Sequence, residues 1–195
     1  MIKVLLAALL VQQPFFATNS SFGYRFALPD GFVAFPEGRS QRDIVECWSE
    51  LMPYSQNGAL VLCIQRMRGT LARGRMKRED VPPAAQLKTY KWKGFDIDGF
   101  RADTAQAGTP VVILAVQVPL RGEAIQVILA GPRDQAQRAE AIMTSMIVSL
   151  EGETNWLTST ERAGRFGNIV GWVLGIAAGV LLIRIWRARQ QSRAA

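Results

Sequence analysis

The chain has 195 residues, 49% of them hydrophobic, with 23 basic and 16 acidic side chains and no histidine. The missing imidazole excludes His-based triads, Cys–His dyads and histidine-ligated zinc, each of which needs that ring as base or ligand. The formal charge of +7 is concentrated at the ends, because residues 21–165 hold 18 basic and 16 acidic side chains. A basic, nucleic-acid-binding core is therefore not what this charge describes.

The N-terminus reads "MIKVLLAALLV": one lysine, then an eight-residue apolar run from Val4 to Val11. That run is too short to span a bilayer and has the form of a signal-peptide core, so residues 1–20 are expected to be a signal peptide. Thr18 and Ser20 supply small residues at −3 and −1 for cleavage near residue 20. An uncleaved anchor or a buried N-terminal strand is the competing reading.

Residues 21–152 are the only segment long enough to bury a core. "YRFALP" (24–29) and "FVAFP" (32–36) alternate around Asp30-Gly31 and predict a hairpin. "DIVECWSEL" and "GALVLCIQRM" predict two more strands around the turn 53–58. A basic stretch and the pair Pro82-Pro83 follow. "YKWKGFDIDGFRAD" then alternates again, with Gly94 and Gly99 placed to permit a bend or bulge. "PVVILAVQVP" and "EAIQVILAG", joined through Leu120-Arg121-Gly122, are the most apolar strands and are expected at the sheet centre. A helix closes the domain, with Pro132 in its first turn and a stripe of Ala139, Ile142, Met143, Met146, Ile147 and Leu150. Gly152 suits its stop. The fold class expected is α+β: an antiparallel β-sheet with a packing helix.

The opening "YRFALPDGF", the meandering sheet and the final amphipathic helix resemble the PsbP/DcrB-like α/β sandwich group over residues 22–150. Pro29, Asp30 and Gly31 match the group's opening turn, while Phe32 stands where tryptophan is common. The motif concerns packing, so it carries over no functional residue. The resemblance implies a non-enzymatic, envelope-associated or binding role by analogy of fold alone.

A linker, 153–165, leads out of the domain. Thr158 and Glu161 have capping-box spacing for a helix start, and Trp156 with Leu157 is expected either on the domain or at a membrane interface. From Phe166 to Ile183 the chain is apolar except for Asn168, enough for roughly 27 Å of helix at 1.5 Å per residue, so one C-terminal transmembrane helix is expected over 166–186. Its glycines, Gly167, Gly171, Gly175 and Gly179, recur every four residues and leave one groove for close packing of a second copy or a partner's membrane helix. Arg184, Arg187, Arg189 and Arg193 favour a cytoplasmic C-terminus, with residues 187–195 as a basic tail and the domain outside.

Three clusters inside the domain are candidate sites. Cys47 and Cys63, centred on the turn 53–58, would face each other in a hairpin; a disulfide there would stabilise an exported domain by roughly 3 kcal/mol, and two buried thiols are the alternative. Arg66, Arg68, Arg73, Arg75, Lys77 and Arg78, followed by Lys88, Lys91 and Lys93, form a candidate contact for anionic lipid or an acidic protein. Nucleic acid is disfavoured, since no aromatic residue interleaves 66–78. Asp96, Asp98 and Asp103 lack the calcium-loop pattern and are read as a solvated strand face, not a metal site. No motif requires a catalytic residue or a cofactor. The expectation is a single-pass membrane-anchored binding or assembly protein. A tail-anchored cytosolic adaptor and a membrane-bound enzyme without histidine chemistry are the alternatives.

Overall fold

A computed structural model describes residues 15–40, 43–51, 58–74, 76–106, 108–158 and 161. The predicted span 166–186, its four glycines, the arginine tail and the apolar run 4–11 all lie outside the described residues. Among those described, no helix is long and apolar enough to cross a membrane. The chain divides into two units at Trp156 and Leu157.

Among the described residues, the first unit holds ten strands and one α-helix: β1 (Phe16–Asn19), β2 (Tyr24–Ala27), β3 (Phe32–Ala34), β4 (Ile44–Glu50), β5 (Val61–Met67), β6 (Gln86–Trp92), β7 (Phe95–Gln106), β8 (Thr109–Val118), β9 (Ala124–Pro132), α1 (Ala136–Ser149) and β10 (Glu151–Gly152). Seven strands make one antiparallel sheet in the order β3-β4-β5-β9-β8-β7-β6, and β1-β2-β10 make a second. The expected α+β architecture, an antiparallel sheet with a packing helix, is present. The two apolar strands expected at the centre are there: β9 is the middle strand and β8 adjoins it.

Alternation explains how the layers meet. Leu62 and Ile64 of β5, Ile125, Val127 and Leu129 of β9, and Val112, Leu114, Val116 and Val118 of β8 are all buried. Ala139, Met143, Met146 and Ile147 of α1, with Tyr24 and Phe26 of β2, belong to the same core. Each large aliphatic side chain so buried contributes about 1.5–3 kcal/mol. Phe26 meets Trp48 edge-on, with ring centroids 5.5 Å apart.

Four expectations are corrected. β2 and β3 are not a hairpin: β2 pairs with β1 and β10, and β3 pairs with β4. Leu28-Pro29 ends β2, and a turn in which Phe32 N–H donates to Pro29 O (3.2 Å) carries the chain across to the large sheet. "YKWKGFDID" is two strands, β6 and β7, because Lys93 and Gly94 both take positive φ (48° and 78°) and turn the chain between Trp92 and Phe95; Gly99 stays in the continuous ladder. Gly152 does not stop the helix. Leu150 is already extended, and Gly152 lies in β10 opposite Tyr24.

The fourth correction moves the domain boundary from residue 21 to at least residue 15. Phe16–Asn19 pairs residue for residue with β2, Ala17 is buried, and Leu28 N–H donates to Phe15 O at 2.7 Å. Cleavage near residue 20 would take β1 out of the fold. In the second unit, Thr158 and Glu161 form the reciprocal contacts of a capping box: Thr158 N–H donates to Glu161 Oε2 (2.7 Å) and Glu161 N–H to Thr158 Oγ1 (3.2 Å).

Candidate functional site

β4 and β5 place Cys47 directly opposite Cys63, with Cα atoms 4.2 Å apart, and the two sulfurs are bonded. The pair lies on the face of the large sheet opposite α1, since it alternates with the inward Trp48, Leu62 and Ile64. Gly38, in the turn Pro36–Ser40, lies over it; a Cβ at that position would come within 2.7 Å of Cys47 Sγ.

The basic stretch is a strap fastened to the domain along its length. Gly69 O accepts from Ala124 N–H (2.8 Å), and Leu71 O accepts from the indole N–H of Trp156 (2.8 Å). Trp156 itself is buried and meets Phe95 edge-on, which puts it on the domain. Arg73 lies over the Phe95 ring at 5.3 Å. Met76 N–H donates to Asp98 Oδ2 (2.6 Å), and Val81 and Ala85 are buried with Ala102 beneath the strap.

Most of the proposed cations are thereby engaged. Arg66 pairs with Glu123 (2.7 Å), Arg68 with Asp43 (3.2 Å) and Lys77 with Glu79 (3.2 Å), while Arg78 donates to Ala85 O and Pro83 O. Arg75 lies outside the described residues. The hydrogen bond and charge of Glu123 raise the pKa of Arg66, and the reciprocal contact lowers that of Glu123. These pairs are exposed, so water and salt screen them and they add little to stability.

The three aspartates are dispersed. Asp96 pairs with Lys91, Asp98 holds the strap, and Asp103 receives Arg101 Nε (3.1 Å) and Arg133 Nη2 (3.6 Å). Among the described residues, no group of three or more Cys, Asp or Glu could hold a metal ion.

A cavity of about 350 Å³ lies between edge strand β6 and α1, lined by Lys88, Tyr90, Lys91, Glu140, Thr144 and Val148 among others. Burial opposes ionisation of Glu140, but hydrogen bonds from Arg101 (3.0 Å) and Lys88 outweigh it and hold the carboxyl below its ordinary range. Burial, then the charge of Glu140, pushes Tyr90 up to about 12. Burial likewise raises Tyr24, whose hydroxyl donates to Glu46 Oε2 at 2.6 Å. Both shifts favour the protonated phenol.

Sequence reasoning missed the most enclosed polar group among the described residues. Glu50 is buried and takes Leu60 N–H (3.2 Å) and both terminal nitrogens of Arg138. Its spacing from Glu46 and Trp48 put it on the inward face, which was the available signal.

No protein-family model and no curated protein sequence matches the chain. Solved structures do. One is a Bacteroides thetaiotaomicron protein, at 10% identity and a TM-score of 0.44, covering 68% of this chain but 46% of that one. A second is the cyanobacterial PsbP protein CyanoP of Synechocystis, at 10% identity and a TM-score of 0.48, covering 74% of this chain and 95% of that one. Over part of its length the chain resembles a PsbP-like sandwich. LpqN, a Mycobacterium tuberculosis protein involved in cell envelope biogenesis, is similar at 15% identity and a TM-score of 0.41, over 71% of this chain and 89% of that one. The present chain spans about half the length of the Bacteroides protein. These likenesses concern the arrangement of strands and helix and bring no activity, ligand or partner with them.

Proposed function

We propose that this is a single-pass membrane protein whose exported domain binds or assembles with a partner, without catalysing a reaction. In this reading residues 166–186 cross the membrane, Gly167, Gly171, Gly175 and Gly179 pack against another helix, and Arg184, Arg187, Arg189 and Arg193 hold the tail in the cytoplasm. The observation that carries it is the bonded pair Cys47–Cys63. Disulfides persist in oxidising compartments and are rare where thiols are kept reduced.

The test is thiol labelling of intact cells with a membrane-impermeant maleimide, with and without reduction and lysis, and with denaturation in parallel. Labelling that needs reduction but no lysis is expected, with the denatured sample showing whether burial hides the thiols. Labelling that needs lysis and no reduction would overturn the export. A second expected result concerns the span. Gly171→Leu with Gly175→Leu weakens self-association at least several-fold in a membrane reporter assay; unchanged association would remove the glycine groove from the reading.

One observation favours a second reading, a tail-anchored adaptor with a cytosolic domain. β1 begins five residues beyond the run Val4–Val11, so residues counted with a cleaved leader belong to the fold. The same labelling separates the two.

A further inference from the structure

The large sheet ends in two unequal edges: β3 has 3 residues and β6 has 7. Among the described residues β6 pairs with β7 alone, and no other backbone group bonds to it. The turn after it fixes which of its backbone groups are left over. Lys93 and Gly94 form a two-residue loop at positive φ, so Trp92 and Phe95 are a hydrogen-bonded pair. By alternation Tyr90, Lys88 and Gln86 also bond to β7. Leu87, Thr89 and Lys91 fall between them and turn their N–H and C=O groups toward the open edge.

A groove follows that edge. The cavity of about 350 Å³ is lined by four consecutive residues, Lys88 to Lys91, whereas a cavity over one sheet face would take alternate ones. Its other wall is one stripe of α1, with Glu140, Ile147 and Val148. Val148 is 74% exposed there, and Leu87, on the outer face of β6, is 45% exposed. Apolar surface is thus open on both sides of the edge.

Charge selects the occupant. Lys88 pairs with Glu140 (3.3 Å) and Lys91 with Asp96, but Glu140 is shared with Arg101 and Lys93 adds a further cation in the turn. The groove is left with an excess of positive charge. A second copy's β6 would bring its own lysines onto the same ladder, where like charges repel. A strand rich in carboxylates meets no such barrier.

We infer that an acidic, extended segment of a partner protein adds to β6 as a further strand of the large sheet. Its backbone bonds to Leu87, Thr89 and Lys91, and its side chains alternate between the α1 side and the outer side. Either parity meets a lysine, Lys88 on the α1 side or Lys91 on the outer side. The inference rests on the proposed binding role and needs neither the membrane span nor export.

The full chain in non-ionic detergent is titrated with a fluorescent peptide in which glutamate and valine alternate over a length that covers Gln86–Trp92. Saturable binding is expected, weakened about tenfold or more when lysine replaces glutamate or when the peptide amides are N-methylated. Thr89→Pro removes an outward N–H without taking a bond from β7, and is expected to abolish binding with the near-UV circular dichroism unchanged. Should that variant misfold, the N-methylated peptide asks the same question of the unaltered chain. Hydrogen exchange is expected to slow at Leu87, Thr89 and Lys91 when the peptide is added. No binding, equal binding of the lysine peptide, or binding that survives Thr89→Pro would overturn the inference. So would protection of those three amides before any peptide is added, because a second copy or another segment of the chain would then cover the edge. The thiol labelling stands apart from these results. Peptide binding by a chain whose thiols need lysis would overturn export alone, and an exported domain that ignores the peptide would overturn the β6 site alone.

Discussion

Arg138→Met is expected to lower the unfolding free energy by about 3 kcal/mol, the cost of leaving a buried charge without its partner. Glu50 has no exposed side-chain surface, whereas the Arg138 side chain is 40% exposed. The arginine can find water when unpaired and the carboxylate cannot. The asymmetry makes a second prediction possible within the same pair. Glu50→Gln added to Arg138→Met keeps an acceptor for Leu60 N–H while removing the buried charge, so most of the loss should return. Urea denaturation of the three proteins measures both effects. A loss below about 1 kcal/mol in the single variant would mean that water reaches Glu50. Failure of the double variant to recover would mean that Arg138 acts through packing. The pair matters because it sits where α1 begins: Gln135 also reaches Gly58 O (2.6 Å), so the helix start is tied to β4 and to the chain entering β5.

A chain lacking residues 1–20 is expected to lose about 3 kcal/mol or more of stability, at about 1 kcal/mol for each net hydrogen bond removed. The loss includes the β1–β2 ladder, the Phe15–Leu28 bond and the bond from Asn19 to Glu46 (3.2 Å), which helps hold the acceptor of Tyr24. It also leaves β2 as a bare edge, a template for pairing with other chains. The corresponding result on the full protein is that N-terminal sequencing of the purified membrane form gives a residue at or before Phe15. A stable truncated domain, or a native N-terminus at Ser21, would show that β1 is dispensable.

The strand pattern was legible because alternation reports burial on one face. That logic placed β8 and β9 centrally and set Cys47 opposite Cys63 from the midpoint of their loop. It failed where two signals overlapped. Thr18 of β1 and Ser20 just after it are small enough to read as a cleavage site, so processing chemistry masked a strand. Pro29-Asp30-Gly31 carries the composition of a hairpin turn, but turn residues do not say whether the flanking strands pair with each other or diverge to separate sheets. The strap looked like free positive charge because Asp43 and Glu123, which pair with it, are distant in sequence.

The three-stranded sheet has a mechanical consequence. β1 and β10 both run antiparallel to β2, so they are parallel to each other, and the chain enters beside Ala27 and leaves beside Tyr24. A pull between the two ends draws β1 and β10 in opposite directions along β2. The load then falls across the hydrogen bonds, which lie perpendicular to the strands and must yield together. Tension on the domain is borne in shear, and a peptide of four residues at the N-terminal side becomes half of the clasp.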